Sequence, residues 1–135
     1  MDRHVLYCDG ASRGNPGPAS IGFVLYDPAG DAVAQLGGAI GETTNNVAEY
    51  RALISGLEAA LDMGVESIEV RLDSMLLVKQ VNGEYRVKAA HLKPLRREAV
   101  RLLDRFEDAS IDHVRREQNT VADALANEAL DEVDK

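Results

Sequence analysis

Val47-Ala-Glu-Tyr-Arg-Ala-Leu-Ile-Ser-Gly-Leu-Glu-Ala-Ala-Leu-Asp-Met-Gly64, followed at once by Val65-Glu-Ser-Ile-Glu-Val-Arg-Leu-Asp73, decides the fold class. In the first half Val47, Tyr50, Ile54, Leu57 and Leu61 recur at helical spacing. Thr44, Asn45 and Asn46 stand ahead of them as caps, and Gly64 is the stop. In the second half Ile68, Val70 and Leu72 alternate with polar residues, which is strand periodicity. A strand reached through a helix has room for the crossover that parallel pairing needs, so Val65–Asp73 is expected to lie parallel to a neighbour.

Working outward, Val5–Asp9 reads as the first strand, and Gly10-Ala-Ser-Arg-Gly-Asn-Pro-Gly-Pro18 as a dense turn signal. Ile21–Tyr26 is the second strand. Asp27-Pro28-Ala29-Gly30 is a hairpin turn, and Ala32–Ile40 an antiparallel third strand weakened by Gly37 and Gly38. Downstream, Ser74–Val81 is a short helix closed by Asn82-Gly83. Pro94 suits a helix first turn, with Leu95, Ala99, Leu102 and Phe106 as its apolar stripe. Ile111–Val114 is a fifth strand, also reached through a helix. Thr120-Val-Ala-Asp123 reads as a capping box opening a last helix through Leu130, whose acidic end from Glu128 frays. The expectation is an α/β protein: a five-stranded mixed sheet, three antiparallel strands plus two parallel, flanked by helices. No repeat or linker interrupts the chain, and its 135 residues fit a single domain, 1–135.

Composition narrows the class. The chain is 45% hydrophobic and 28% charged, with Cys8 as its only cysteine. An intramolecular disulfide is impossible, which points to a reducing compartment, and the cytoplasm is the expected location. Cys8 alternates away from Val5, Tyr7 and Asp9 and reads as a small buried hydrophobe. No apolar run approaches the ~20 residues of a membrane span, and Met1-Asp-Arg-His4 leads straight into a strand, so no signal peptide is expected. The net charge of −8 argues, taken alone, against nucleic acid. Its distribution argues otherwise. Between Glu84 and Arg105 seven bases oppose three acids, a local +4 that leaves −12 for the rest of the chain.

Four carboxylates sit at element ends. Asp9 closes the first strand and Asp73 the fourth, while Glu49 and Asp123 lie in the first turns of helices. Open α/β sheets bind ligands beyond the carboxyl ends of their strands, so the four can converge there. Crowded carboxylates repel unless a cation compensates, and Mg²⁺ takes a few carboxylates plus phosphate oxygens. Two such ions roughly 3.5–4 Å apart activate a water and stabilise a leaving oxygen, which is metal-assisted phosphodiester hydrolysis. Spacing alone leaves an alternative open. Asp after a strand is ordinary turn chemistry, and Glu49 or Asp123 can simply complement a helix dipole. Paired Cys/His spacing for zinc and a phosphate-binding Gly-Lys-Ser/Thr loop are both absent from the sequence.

The motifs go further. Tyr7-Cys-Asp-Gly-Ala-Ser-Arg-Gly-Asn-Pro-Gly-Pro18, Thr43-Thr-Asn-Asn-Val-Ala-Glu-Tyr50, Leu72-Asp-Ser74 and Asn119-Thr-Val-Ala-Asp-Ala-Leu-Ala126 resemble, in order and spacing, the four motifs of type 1 ribonuclease H. The likeness runs from Val5 to Leu130. It implies a ribonuclease H-like fold and endonucleolytic cleavage of the RNA strand of RNA–DNA hybrids, with 5′-phosphate and 3′-hydroxyl products. It also implies two metal ions with substrate bound, Mg²⁺ with Mn²⁺ as a substitute, held by Asp9, Glu49, Asp73 and Asp123. Gly10, Ser12, Asn15, Asn45 and Asn46 fall where the family contacts the minor groove. That suits A-like hybrids, which are read by shape and 2′-hydroxyls. The glycine-rich Gly10–Pro18 segment can approach a backbone closely.

Three departures from the better-known bacterial pattern stand out. The loop Val114-Arg-Arg-Glu-Gln-Asn119 is short and lacks the family's His. His113 falls in the predicted strand and reads as structural. The short-loop subgroup, archaeal-type and actinobacterial, has an Arg in that place. Arg116 is chosen over Arg115, in an electrostatic role because a guanidinium does not shuttle protons. Met75 stands where those relatives have a substrate-contacting Gln. The long basic protrusion is replaced by the shorter Glu84–Pro94 segment, where Lys88 and Lys93 are expected on the DNA-strand backbone. Arg97, Arg101 and Arg105 read as a solvated helix face. The implied partner is an RNA–DNA hybrid of any sequence, with double-stranded RNA as a second substrate in some short relatives. A monomer is expected. The alternatives are a non-catalytic hybrid-binding module, or a domain of a reverse-transcriptase-like or fusion protein, with a free-standing chain the more natural expectation.

Overall fold

The computed structural model describes residues 3–133. One sheet organises them, in the order β3-β2-β1-β4-β5. The strands are β1 (His4–Ser12), β2 (Gly17–Tyr26), β3 (Ala32–Thr43), β4 (Ser67–Leu72) and β5 (Asp108–His113). β1 pairs antiparallel with β2, and β2 with β3, whereas β1–β4 and β4–β5 are parallel. The helices are α1 (Asn45–Asp62), α2 (Met75–Val81), α3 (Lys93–Leu103) and α4 (Thr120–Val133). The mixed sheet is therefore as the sequence predicts, with both crossover strands parallel. Among the described residues no helix is long and apolar enough to cross a membrane.

The helix–strand stretch that sets the fold class forms for local reasons. Thr44 caps α1, its hydroxyl accepting from the Val47 amide at 3.3 Å. Gly64 takes φ +78° after Met63, and the Val65 amide returns to the Ala60 carbonyl at 3.1 Å, the hydrogen-bond pattern of a glycine-terminated helix. In β4, Ile68, Val70 and Leu72 are buried against Leu6, Leu53, Leu57 and Leu102. Cys8 lies in that core, fully buried, and burial pushes its thiol well above the ordinary range.

The opposite face of the sheet carries α4, which lies across β2 and β3. β2 is thus covered on both sides, which accounts for its nearly continuous burial. Two glycines admit the helix at this closeness. A Cβ on Gly22 would lie 2.3 Å from the Ala122 carbonyl oxygen, and one on Gly37 would lie 2.4 Å from that of Leu125. Ser20 donates to the Ala126 carbonyl at 2.6 Å. Gly37, which weakens β3 as a strand signal, is thus a residue the α4 contact requires.

Several boundaries differ from expectation. β1 runs on to Ser12 and β2 begins at Gly17, so the Gly10–Pro18 turn shrinks to residues 13–16, because ladder pairs from Gly10↔Ile21 to Ser12↔Ala19 extend the strands. Asp9 therefore does not close β1, although it lies beyond Tyr7↔Arg71, the last β1–β4 pair. β5 starts three residues earlier than read. Thr120 is the first residue of α4, not its cap. The predicted fraying of the acidic end falls partly on Asp134 and Lys135, which lie outside the described residues.

Candidate active site

Beyond the β1–β4 pairing, the ends of two strands and the starts of two helices meet. One oxygen from each of Asp9, Glu49 and Asp73 lies within 4.8 Å of the other two. Asp123 joins them in lining a cleft of about 390 Å³, with Gly10, Ser12, Asn45, Arg116 and Asn127. Asp73 is the residue immediately after β4, and Asp123 lies in the first turn of α4. Glu49, expected in the first turn of α1, is the fifth residue of that helix and sits just past it.

The backbone dictates this convergence. A Cβ on Gly10 would meet the Ala48 carbonyl carbon and the Glu49 nitrogen at 2.3 Å, so only glycine lets α1 lie this close to β1. The close approach expected of this segment is thus made, inside the protein, to α1. Ser74 caps α2 by accepting from the Leu77 amide at 3.3 Å, and its hydroxyl also favours the charged form of Glu49. Asn127, one helical turn after Asp123, donates to its Oδ1 at 3.2 Å. The sequence reading passed over Asn127, although its spacing from Asp123 was a signal for it.

Crowding and burial dominate the electrostatics. Asp9 is 7% exposed. Burial first, then a hydrogen bond with Asp123 and the charges of Asp73, Asp123 and Glu49, push it up to about 9. Glu49 is pushed up to about 7, chiefly by burial, with Ser74 and Asn45 pulling the other way. Burial also raises Asp73, against the opposing effects of an Asn119 hydrogen bond and the Arg116 guanidinium. Arg116 is the one cationic side chain lining the cleft among the described residues. Arg115 does not line it, nor does His113, which is exposed at the end of β5. The donor set is entirely oxygen, the chemistry that hard divalent cations take. A cation is what would let these carboxyls ionise together, so the residues fit such an ion.

The other singled-out residues lie elsewhere. Asn15 Oδ1 accepts from the Asn45 amide at 3.0 Å, tying the β1–β2 turn to the start of α1. Asn46 and Lys88 line a neighbouring groove of about 580 Å³ with Leu76, Gln80, Tyr85 and Arg86. Lys93 faces another, of about 590 Å³, with Arg86, Arg96 and Arg97. Met75 opens α2 and is half exposed. Arg97, Arg101 and Arg105 are exposed, and Arg101 pairs with Glu98 at 2.6 Å.

A mixed sheet in this order, with acidic side chains from two strands and two helices gathered at one cleft, defines the ribonuclease H-like class. Comparison with known proteins narrows the class to a family. A family model described as "Reverse transcriptase-like" matches residues 7–129. Ribonuclease HI of Halobacterium salinarum is 54% identical over 126 residues, which cover 93% of this chain and 63% of that protein. The crystal structure of RNase H1 from the same archaeon superposes with a TM-score of 0.94 at 53% identity, covering 96% of this chain and 98% of that one. LC11-RNase H1, solved in complex with an RNA/DNA hybrid, gives a TM-score of 0.92 at 41% identity over 98% of this chain and 100% of that one. The chain belongs to the ribonuclease H family. It spans 63% of the length of the Halobacterium protein and 35% of its mycobacterial relatives, one of them a bifunctional protein of Mycobacterium tuberculosis.

Proposed function

We propose that this protein is a sequence-nonspecific endonuclease that hydrolyses the RNA strand of RNA–DNA hybrids, leaving 5′-phosphate and 3′-hydroxyl ends. The observation that carries the reading is the meeting of Asp9, Glu49, Asp73 and Asp123 in one cleft beside a single guanidinium. A pure binding module has no use for buried carboxylates facing a polyanion. Family membership, and the hybrid held by LC11-RNase H1, support the substrate class.

Asp9, Glu49, Asp73 and Asp123 would hold two divalent ions when substrate is present, Mg²⁺ with Mn²⁺ as a substitute. Bound there, such ions activate a water and neutralise charge on the scissile phosphate and leaving oxygen. The chain does the rest. Asn127 orients Asp123, Ser74 and Asn45 orient Glu49, and Arg116 attracts phosphate and product as a fixed positive charge. Gly10, Ser12, Asn15, Asn45 and Asn46 follow the minor groove, and Lys88 and Lys93 hold the DNA-strand backbone. The working unit is one domain, 1–135, acting as a monomer in the cytoplasm. Double-stranded RNA is a candidate second substrate.

End-labelled duplexes test this reading, with the label on either strand of a hybrid, on double-stranded RNA and on double-stranded DNA. Cutting of the hybrid's RNA strand at many positions, faster than double-stranded RNA and without DNA cutting, is expected. Tight hybrid binding without cutting, in Mg²⁺ and in Mn²⁺, would establish the binding module instead.

A further inference from the structure

Asn119 occupies an unusual position. It is 1% exposed, and its Oδ1 is the one buried side-chain polar atom without a hydrogen-bond partner among the described residues. A residue kept for packing would not leave an acceptor unpaired, since an apolar side chain of similar size avoids that cost. The other end of the amide is paired. Its Nδ2 donates at 2.9 Å to the carbonyl of Cys8, the peptide leading into Asp9, just past the end of the β1–β4 ladder. The side chain also stands close enough to Asp73 to favour its charged form. The backbone does as much. The Asn119 carbonyl accepts from the Asp123 amide at 3.1 Å, and its own amide donates to the Arg116 carbonyl at 3.0 Å.

We infer that Asn119 is a positioning residue, whose buried amide holds the peptide leading into Asp9 and stands against Asp73, so that both carboxylates are placed for the divalent ions. The inference rests on the metal-dependent nuclease reading of this cleft. An amide is the side chain suited to the place, because a single nitrogen offers two N–H groups, one for a backbone carbonyl and one for a carboxylate. Aspartate has the same shape but sets an acceptor against both partners, and alanine leaves both without a donor.

Calorimetric titration of Mn²⁺ into the free protein tests this without relying on turnover. Outer residues that orient metal ligands typically matter by about 10–100-fold in metal affinity. Asn119→Ala and Asn119→Asp should each weaken Mn²⁺ binding by at least about tenfold on that basis. Circular dichroism should stay as in wild type, and the Mn²⁺ needed for half-maximal hybrid cutting should rise in parallel while the KM for hybrid holds. A merely structural asparagine would lower the melting temperature and leave Mn²⁺ affinity unchanged, and that result overturns the inference. Loss of the fold in both variants overturns it equally, because Asn119 would then act through stability. Failure of wild type to bind Mn²⁺ both alone and with a cleavage-resistant hybrid bound would instead overturn the nuclease reading itself.

Discussion

Gly10 and Glu49 are in backbone contact: a Cβ on Gly10 would lie 2.3 Å from the Glu49 nitrogen. Asp9 precedes one and the Glu49 carboxyl extends from the other, so this contact sets the spacing of two of the four acidic residues. Gly10→Ala must push α1 off β1, and the atoms it meets are backbone and cannot rotate away. Overpacking of this kind costs about 1–3 kcal/mol. Misplacement of a catalytic group by an ångström costs about a hundredfold in rate. A lowered melting temperature with cutting reduced by about two orders of magnitude is expected, from thermal melts and hybrid cleavage run side by side.

How legible the site was follows from the same contact. Asp73 and Asp123 were visible in the sequence because one follows a strand and the other opens a helix whose periodicity is plain, whereas Asp9 and Glu49, inside β1 and α1, were placed by their motifs. What the sequence hid were groups whose partners lie far along the chain. Gly37 looks like a weak point in β3 until α4 is laid across it, and Gly10 looks like turn chemistry until α1 is packed against it. The Gly10–Pro18 segment contains strand because β2 supplies ladder partners that local turn signals do not register. Asn119 stood inside a recognised motif, yet its tie to Cys8 spans 111 residues.

The acidic cluster makes metal-free stability depend on pH. Asp9 moves from 3.8 to about 9 and Glu49 from 4.5 to about 7 on folding without metal. Between those limits the folded chain holds more protons than the unfolded one, so stability falls as pH rises. Melting in EDTA should therefore drop steadily from pH 5 toward pH 9, and the rise produced by Mg²⁺ should be larger at pH 9 than at pH 5. Asp9→Asn should flatten the EDTA profile and melt higher than wild type at pH 8. An EDTA profile that rises across this range would contradict the burial of these carboxyls.

Arg116 lines the cleft and Arg115 does not. Arg116→Ala should lower kcat by roughly a hundredfold to a thousandfold, the scale for removing one electrostatic donor from a reacting centre. Arg115→Ala should leave kcat within about twofold, since it lies outside the cleft. Steady-state kinetics on one hybrid decides between them, and the reverse ranking would move the role to Arg115.

In the proposed function, recruitment by an acidic protein would rest on its local +4 segment, in which Lys88 and Lys93 each line a groove. Hybrid affinity should fall steeply with salt. Replacing both lysines with alanine should reduce the slope of log affinity against log salt by about 1–2. Single-turnover cutting at saturating enzyme should change little. A slope unaltered in the double variant would remove these two residues from the backbone contact.

The most direct test of the account is cleavage of an RNA-end-labelled hybrid in Mg²⁺ by wild type, beside Asp73→Asn and an EDTA control. Asp73 is one of the three carboxyls within 4.8 Å of one another, and its amide variant keeps the shape while removing a metal ligand. RNA cutting by wild type, lost in both controls, is the predicted result. Cutting by Asp73→Asn at the wild-type rate, or cutting that persists in EDTA, would contradict a carboxylate-held metal centre in this cleft.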